Sequence, residues 1–120
     1  MSAFHASERQ AIALQLAETL GEYEASLDAM LETWPDLEPY GAVSAKVEEI
    51  RLLSGALSSL SAEWIELLIA HAELMHCLWR LQFRSRGSQA KYLGQMRAHH
   101  GFCVTGLRAA SLCLARRLAG

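Results

Sequence analysis

The stretch "SGALSSLSAEW", residues 54–64, decides how many helices this chain forms. Its leucines and its tryptophan continue a series of apolar residues spaced by three and four, which predicts an uninterrupted helix. Gly55 and the serines weaken a helix, and Ser61 is a good residue to cap a new one. We therefore expect one long helix from about residue 42 to 84, with a break near residues 58–61 as the alternative.

The same spacing predicts helices on both sides of this segment. The first runs from about Ser7 to Trp34 and ends at "WPDLEPYG", residues 34–41, because prolines and glycine stop a helix. The last follows a turn at "RSRGSQ", residues 84–89. The sequence thus predicts an all-α single domain, residues 1–120, built as an antiparallel bundle of three long helices, or of four if the middle one breaks. The apolar seam is Ile12, Leu16, Leu20, Tyr23, Leu27, Met30 and Trp34 in the first helix, and Leu93, Met96, His100, Cys103, Leu107, Ala110 and Leu114 in the last.

The composition agrees with a helical domain that holds no disulfide framework. The chain has 120 residues, 52% of them hydrophobic, and two prolines. Its three cysteines lie within segments of helical pattern, which is typical of reduced thiols. No signal peptide is visible, and charged residues interrupt the richest apolar run. We expect a cytoplasmic protein that does not use a membrane as its partner.

The charges divide sharply along the chain, although the net charge is only −2. Every aspartate and glutamate lies at or before Glu73, whereas eight of the eleven bases follow it. Opposite charges favour neighbouring helices, so we expect the basic last helix to pack along the acidic first one. Anion or nucleic-acid binding through the arginine-rich C-terminal part is the alternative.

The segment from residue 64 to 84 is apolar on nearly every side. On a helical wheel its polar stripe is thin, so this helix must be covered on more than one face. The other two predicted helices are one-sided and cover only part of it. The sequence therefore predicts self-association, at least to a dimer, or a dedicated protein client. The predicted interface residues are Trp64, Ile65, Ile69, Trp79 and Phe83.

Histidines and cysteines suggest one candidate metal site. Within "HAELMHCLW", residues 71–79, His71 and His76 point about 140° apart and cannot share a metal on a straight helix. A hairpin near residues 86–88 instead brings His71 level with His100, and an unbroken middle helix brings His5 to that level too. With Cys103, one turn after His100, these residues make a candidate zinc set. A histidine in an apolar seam is more often a hydrogen-bonded core residue, so we expect no cofactor and keep zinc as an alternative.

No catalytic motif accompanies these features. The chain has no nucleophile elbow, no phosphate-binding glycine loop and no pair of acid–base carboxylates. We therefore expect a non-enzymatic protein–protein interaction module, such as an adaptor, a chaperone or a regulatory inhibitor, that binds itself and a protein client. A metal-binding helical bundle and an anion-binding protein are the alternatives.

Overall fold

The computed structural model of the protein describes residues 3–81 and 86–120, with side chains described at 5–81 and 91–120. Over these ranges the chain is helical and contains no strand, which confirms the all-α prediction. The elements in chain order are α1 (Ala3–Thr33), α2 (Leu37–Gly55), a 3-10 helix (Ser58–Leu60), α3 (Ser61–Leu81) and α4 (Arg86–Leu118).

The stretch at residues 54–64 contains a sharp break. The expectation of one continuous helix from 42 to 84 is therefore wrong, and the four-helix alternative is confirmed. The chain turns by 119° between α2 and the segment that starts at Ser58. Gly55 ends α2, since glycine costs about 1 kcal/mol relative to alanine inside a helix. The Ser61 hydroxyl then donates to the Ser58 carbonyl over 2.7 Å, a local bond that competes with continued helix.

The apolar spacing runs through the break because both sides of it pack into the same core. Leu57 and Leu60 are 0% and 5% exposed, so the turn between the helices is itself buried. Burying leucine in this way stabilises the fold by about 1.5–3 kcal/mol per side chain, which exceeds the helix propensity lost at Gly55. Spacing alone therefore marks these leucines as core without showing that the backbone changes direction between them.

Two other helix boundaries also differ from the sequence-based ones. α2 begins at Leu37, inside the predicted loop, because Pro39 falls in the first turn of the helix, where its missing N–H is not needed. α4 begins at Arg86, inside the predicted turn at 84–89. Residues 84 and 85, the first two of that turn, lie outside the described ranges.

The four helices run in up-down-up-down order. α2 returns along α1, with Lys46 Nζ 3.2 Å from Glu22 Oε1. α4 also runs antiparallel to α1, because Ser111 donates to the Ala13 carbonyl over 2.5 Å at one level and His100 contacts Tyr23 at another. α3 packs on α4 and runs in the same general direction as α1, because His71 and then Trp79 of α3 contact Tyr23 and then Trp34 of the first helix and its end.

This packing confirms that the basic last helix lies along the acidic first one. Arg97 of α4 approaches Asp28 of α1, with Nη2 and Oδ1 3.8 Å apart. Both side chains are more than half exposed, so the pair contributes about 0–1 kcal/mol. The contact is held mainly by the apolar core that fills the space between the helices. Its fully buried large side chains include Leu16, Leu20, Met30, Ile50, Leu67, Leu74, Val104 and Leu107.

Among the described residues, two of the three buried side-chain polar atoms that lack a hydrogen-bond partner lie near the break, and the third is Trp34 Nε1. In the described part of the chain, Ser54 Oγ at the end of α2 and Glu63 Oε2 at the start of α3 are both in this state. Unpaired buried groups cost about 1–3 kcal/mol each. These two unpaired groups therefore weaken the break, and its buried leucines offset that cost.

No single helix among the described residues has both the length and the hydropathy needed to cross a membrane. α2 and the segment 58–81 reach that threshold only when taken together across their 119° bend.

Candidate functional site

A tyrosine bonded to two histidines lies inside the helix packing. Tyr23 of α1 places its hydroxyl 2.7 Å from His71 Nδ1 of α3 and 2.6 Å from His100 Nε2 of α4. Tyr23 and His100 are 1% and 2% exposed, while His71 is partly exposed. The expected level pairing of His71 with His100 is seen, with ring centroids 6.5 Å apart. Sequence reasoning missed Tyr23 as the group between them.

This cluster works through neutral hydrogen bonds. The tyrosine hydroxyl donates its proton to one imidazole and accepts an N–H from the other. Because His71 bonds through Nδ1 and His100 through Nε2, the two neutral histidines carry the same tautomer, both Nε2–H or both Nδ1–H. Burial lowers the pKa of both histidines, and for His100, with nearby His71 and His99 adding to burial, the pKa falls to about 4. Burial, and then the Glu24 carboxylate, raise the pKa of Tyr23. All three groups are therefore uncharged near neutral pH, and the cluster joins three helices without burying an ion.

The structure does not bring His5 to this level. Tyr23 follows His5 by eighteen residues in α1, which places the two about 27 Å apart along the helix. The expected position of His5 depended on an unbroken middle helix. Because that helix breaks, α3 runs parallel to α1, and the α1 residue level with His71 and His100 is Tyr23.

Cys103, the fourth residue of the candidate zinc set, lies one turn beyond His100 and contacts a different histidine. Its Sγ is 3.7 Å from His99 Nε2. Burial raises the pKa of the Cys103 thiol, and Glu66 and Glu73 raise it further, so the thiolate that a metal requires is disfavoured. Across the described residues, no three His, Cys, Asp or Glu side chains are placed to hold a metal ion. Of the candidate set, only His71 and His100 come together.

A small cleft opens beside the cluster, between α1 and α4. It has a volume of about 180 Å³, with His100 and Gly101 in its wall and Glu24, Asp28 and Arg97 among its charged lining. The Asp28 and Arg97 side chains are 69% and 53% exposed and form the rim. His100 forms part of the cleft wall but is only 2% exposed, and its Nε2 is already bonded to the Tyr23 hydroxyl.

Two of the predicted interface tryptophans pack inside the chain. Trp79 forms edge-on contacts with Trp34 and Tyr40, at ring-centroid distances of 4.8 and 5.9 Å. Trp64 is partly buried against the core. These contacts pin the end of α3 to the turn between α1 and α2. Phe83, also predicted for the interface, lies outside the described residues.

The other two predicted interface residues lie on an uncovered face of α3. Ile65 and Ile69 are 52% and 53% exposed, and Leu68 between them is 40% exposed. The residues one turn away on the same side are alanines, both exposed. We call this set, Ala62, Ile65, Leu68, Ile69 and Ala72, the outer α3 face.

The most exposed aromatic residue described on α4 was not anticipated. Phe102 is 76% exposed, and small residues lie beside it on one side of this face, whereas Gln95 and His99 lie on the other side. The sequence signal was present, since Phe102 lies outside the apolar seam of the last helix. We call the exposed set Ala98, Phe102, Thr105, Gly106 and Ala109 the outer α4 face.

The α4 bases whose side chains the structure describes do not form one anion-binding cluster. Arg97 approaches Asp28, and the Arg108 guanidinium lies over Gly21 of α1, within 4 Å of where a side chain there would begin. Arg116 lies about 28 Å from Arg97 along the helix. A compact phosphate site needs its cations to converge, whereas these are distributed along the helix.

No family model, no curated protein and no solved structure matches this chain. A function for the chain is therefore inferred from its own residues and contacts.

Proposed function

We propose that this protein is a non-enzymatic helical interaction module that binds protein through the outer α3 face. The observation that supports this proposal is the uncovered set of Ile65, Leu68 and Ile69 at the centre of α3. Three adjacent aliphatic side chains left 40–53% exposed form a continuous apolar surface. Such surfaces on a small domain typically mark interaction sites.

The inner and outer sides of α3 have different roles. The inner side carries Leu67, Leu74 and Leu78, each at most 3% exposed, and already fills the core. Glu66 and Glu73 are exposed at one edge of the outer face, which leaves its centre apolar and its edge polar. An apolar centre with a polar rim is the usual layout of a protein interface.

The buried cluster suits a supporting role in this module. Tyr23 engages one nitrogen of each histidine, so hydrogen bonds tie α1, α3 and α4 together at one level. A satisfied buried network of this kind specifies how the helices align. It holds α3 in the orientation that turns Ile65 and Ile69 to solvent.

Site-specific photo-cross-linking tests the proposal. A photoreactive amino acid placed at Ile65 or Ile69 should give a discrete protein adduct, identified by mass spectrometry, both in the purified protein and in cells that make it. The matched control is the same reagent at Leu52, an apolar residue of α2 that is 61% exposed and lies apart from the outer α3 face.

The adduct should disappear when Leu68→Glu is added, since a charge in the centre of an apolar contact removes it. Equal adducts at Ile65 and Leu52, or none at either, would contradict the proposed function. An adduct with another protein and an adduct with a second copy both support it, and they separate the client from self-association.

A further inference from the structure

The outer faces of α3 and α4 form one continuous surface. His71 and His100 both point inward to Tyr23 of α1. Ile69 precedes His71 by two residues and Phe102 follows His100 by two, so each is turned about 200° away from its histidine. Both therefore point to the side of the α3–α4 pair that faces away from α1. Because the two helices are antiparallel, Ile69 and Phe102 are also level with each other.

The two faces have complementary shapes. Ile65, Leu68, Ile69 and Ala72 stand at positions i, i+3, i+4 and i+7 of α3, the four residues that surround a hole in knobs-into-holes packing. Phe102 projects from α4 as a large apolar knob, with Gln95 and His99 along one side of it. The residues on its other side, Ala98, Thr105 and Ala109, are small and allow a second helix to approach closely. The hole on α3 is centred at the same level as the knob on α4.

The two helices also carry opposite charge. α3 has three glutamates and one arginine, a net charge of −2, whereas α4 has six bases and no acid. Pairing α3 with its own copy would set acid against acid, and pairing α4 with its own copy would set base against base. Pairing α3 of one copy with α4 of another brings opposite charges together.

Resting on the proposed function of the outer α3 face, we infer that its partner is α4 of a second copy of this chain. Two copies face each other across a two-fold axis parallel to the helices, so that α3 lies on the partner's α4 and α4 on the partner's α3. Such a rotation preserves height along the axis, so Phe102 of each copy enters the hole around Leu68 and Ile69 of the other. The same α3–α4 contact forms twice in the pair, so neither copy keeps a free face for a third copy. The assembly is therefore a dimer and not a filament.

Light scattering across a range of concentrations gives the first test. The protein should be dimeric at micromolar concentration, and Phe102→Ser should raise the dimer dissociation constant about 100-fold or more, since each dimer loses two aromatic knobs. Phe102 is exposed, so the variant keeps its core, which circular dichroism verifies. Leu52→Ser, the matched loss of an exposed apolar side chain on α2, should leave the constant unchanged.

Thiol cross-linking then tests the pairing itself. In a Cys113→Ser background, which removes the exposed native thiol, a mixture of Ile69→Cys and Phe102→Cys proteins should form a covalent dimer with a short bifunctional reagent. Ile69→Cys alone should not. A 69–69 cross-link, or a protein that stays monomeric at high micromolar concentration, would overturn the inference. If the protein stays monomeric but Ile65 captures a different protein, the proposed function stands and only its assignment to a second copy fails.

Discussion

Replacing Tyr23 with phenylalanine should destabilise the fold through loss of one oxygen atom. The ring keeps its place in the core, where Tyr23 is 1% exposed, so little packing is lost. His100 Nε2 is left buried without a partner, and His71 Nδ1 loses its bond beside partial access to water. An unpaired buried polar group costs about 1–3 kcal/mol, and the second group costs less because water reaches it. The free energy of unfolding should fall by about 2–4 kcal/mol, a large part of the 5–15 kcal/mol typical of a domain.

Urea denaturation followed by circular dichroism measures this loss, with Tyr40→Phe as the matched control. The Tyr40 ring packs against Trp34 and Trp79, and its hydroxyl has no hydrogen bond within the described residues. Its removal should change the free energy of unfolding by less than about 0.5 kcal/mol. Equal losses in the two variants would refute the reasoning, because the two hydrogen bonds at 2.6 and 2.7 Å would then contribute nothing.

Two further predictions concern pH and the buried serines. Because the pKa of His100 falls to about 4 in the fold while an unfolded histidine titrates near 6.5, the unfolded chain binds more protons between these values. The contribution of neutral His100 to the free energy of unfolding should therefore be complete above about pH 7, and should decrease by about 3 kcal/mol as the pH drops from 6.5 to 4. Urea midpoints measured over this range should fall less steeply with pH for His100→Gln. The control His76→Gln, at an exposed position, should keep the pH dependence of the unmodified protein. Two serine-to-alanine changes should have opposite signs in the same assay. Ser111→Ala loses the hydrogen bond to the Ala13 carbonyl and should lower the free energy of unfolding by about 1 kcal/mol. Ser54→Ala removes an unpaired buried hydroxyl and should raise the free energy of unfolding by a similar amount. Equal decreases in the two variants would contradict this reasoning.

The sequence predicts the helices and their inner faces well. Residues spaced by three and four in the first helix, such as Leu16, Leu20 and Met30, are buried as expected. This pattern is reliable because burying aliphatic side chains is the largest favourable contribution to folding, and it repeats with the period of the helix.

The break between α2 and α3 could not be predicted with the same certainty. Leu57 and Leu60 keep the helical spacing because they join the same core, and only Gly55 and the nearby serines mark the turn. These local preferences amount to about 1 kcal/mol each, too little to decide against a continuous apolar series.

The preference for an unbroken middle helix carried over to the candidate site. The alignment of His71 with His100 depends on the α3–α4 hairpin alone and was predicted. The residue of α1 that lies level with them depends on the middle helix: it is His5 if that helix is unbroken and Tyr23 if the chain reverses there. Tyr23 still carried a usable signal. A tyrosine within a seam of leucines needs a partner for its buried hydroxyl, and the two seam histidines were the available groups.

The packing of α4 onto α1 has a consequence for how the chain folds as it is synthesised. The hydrogen bond between Tyr23 and His100 cannot form until His100, 77 residues later in the chain, has been synthesised. The bond between the Ala13 carbonyl and Ser111 spans 98 residues in the same way. At about 5–20 residues per second, the tyrosine hydroxyl stays without its second imidazole for about 4–15 s of translation. Through that interval only α2 and α3 can contact α1, and the side of α1 that α4 later covers stays open to any chaperone at the ribosome. The order of translation therefore makes α4 the element that ends this exposure.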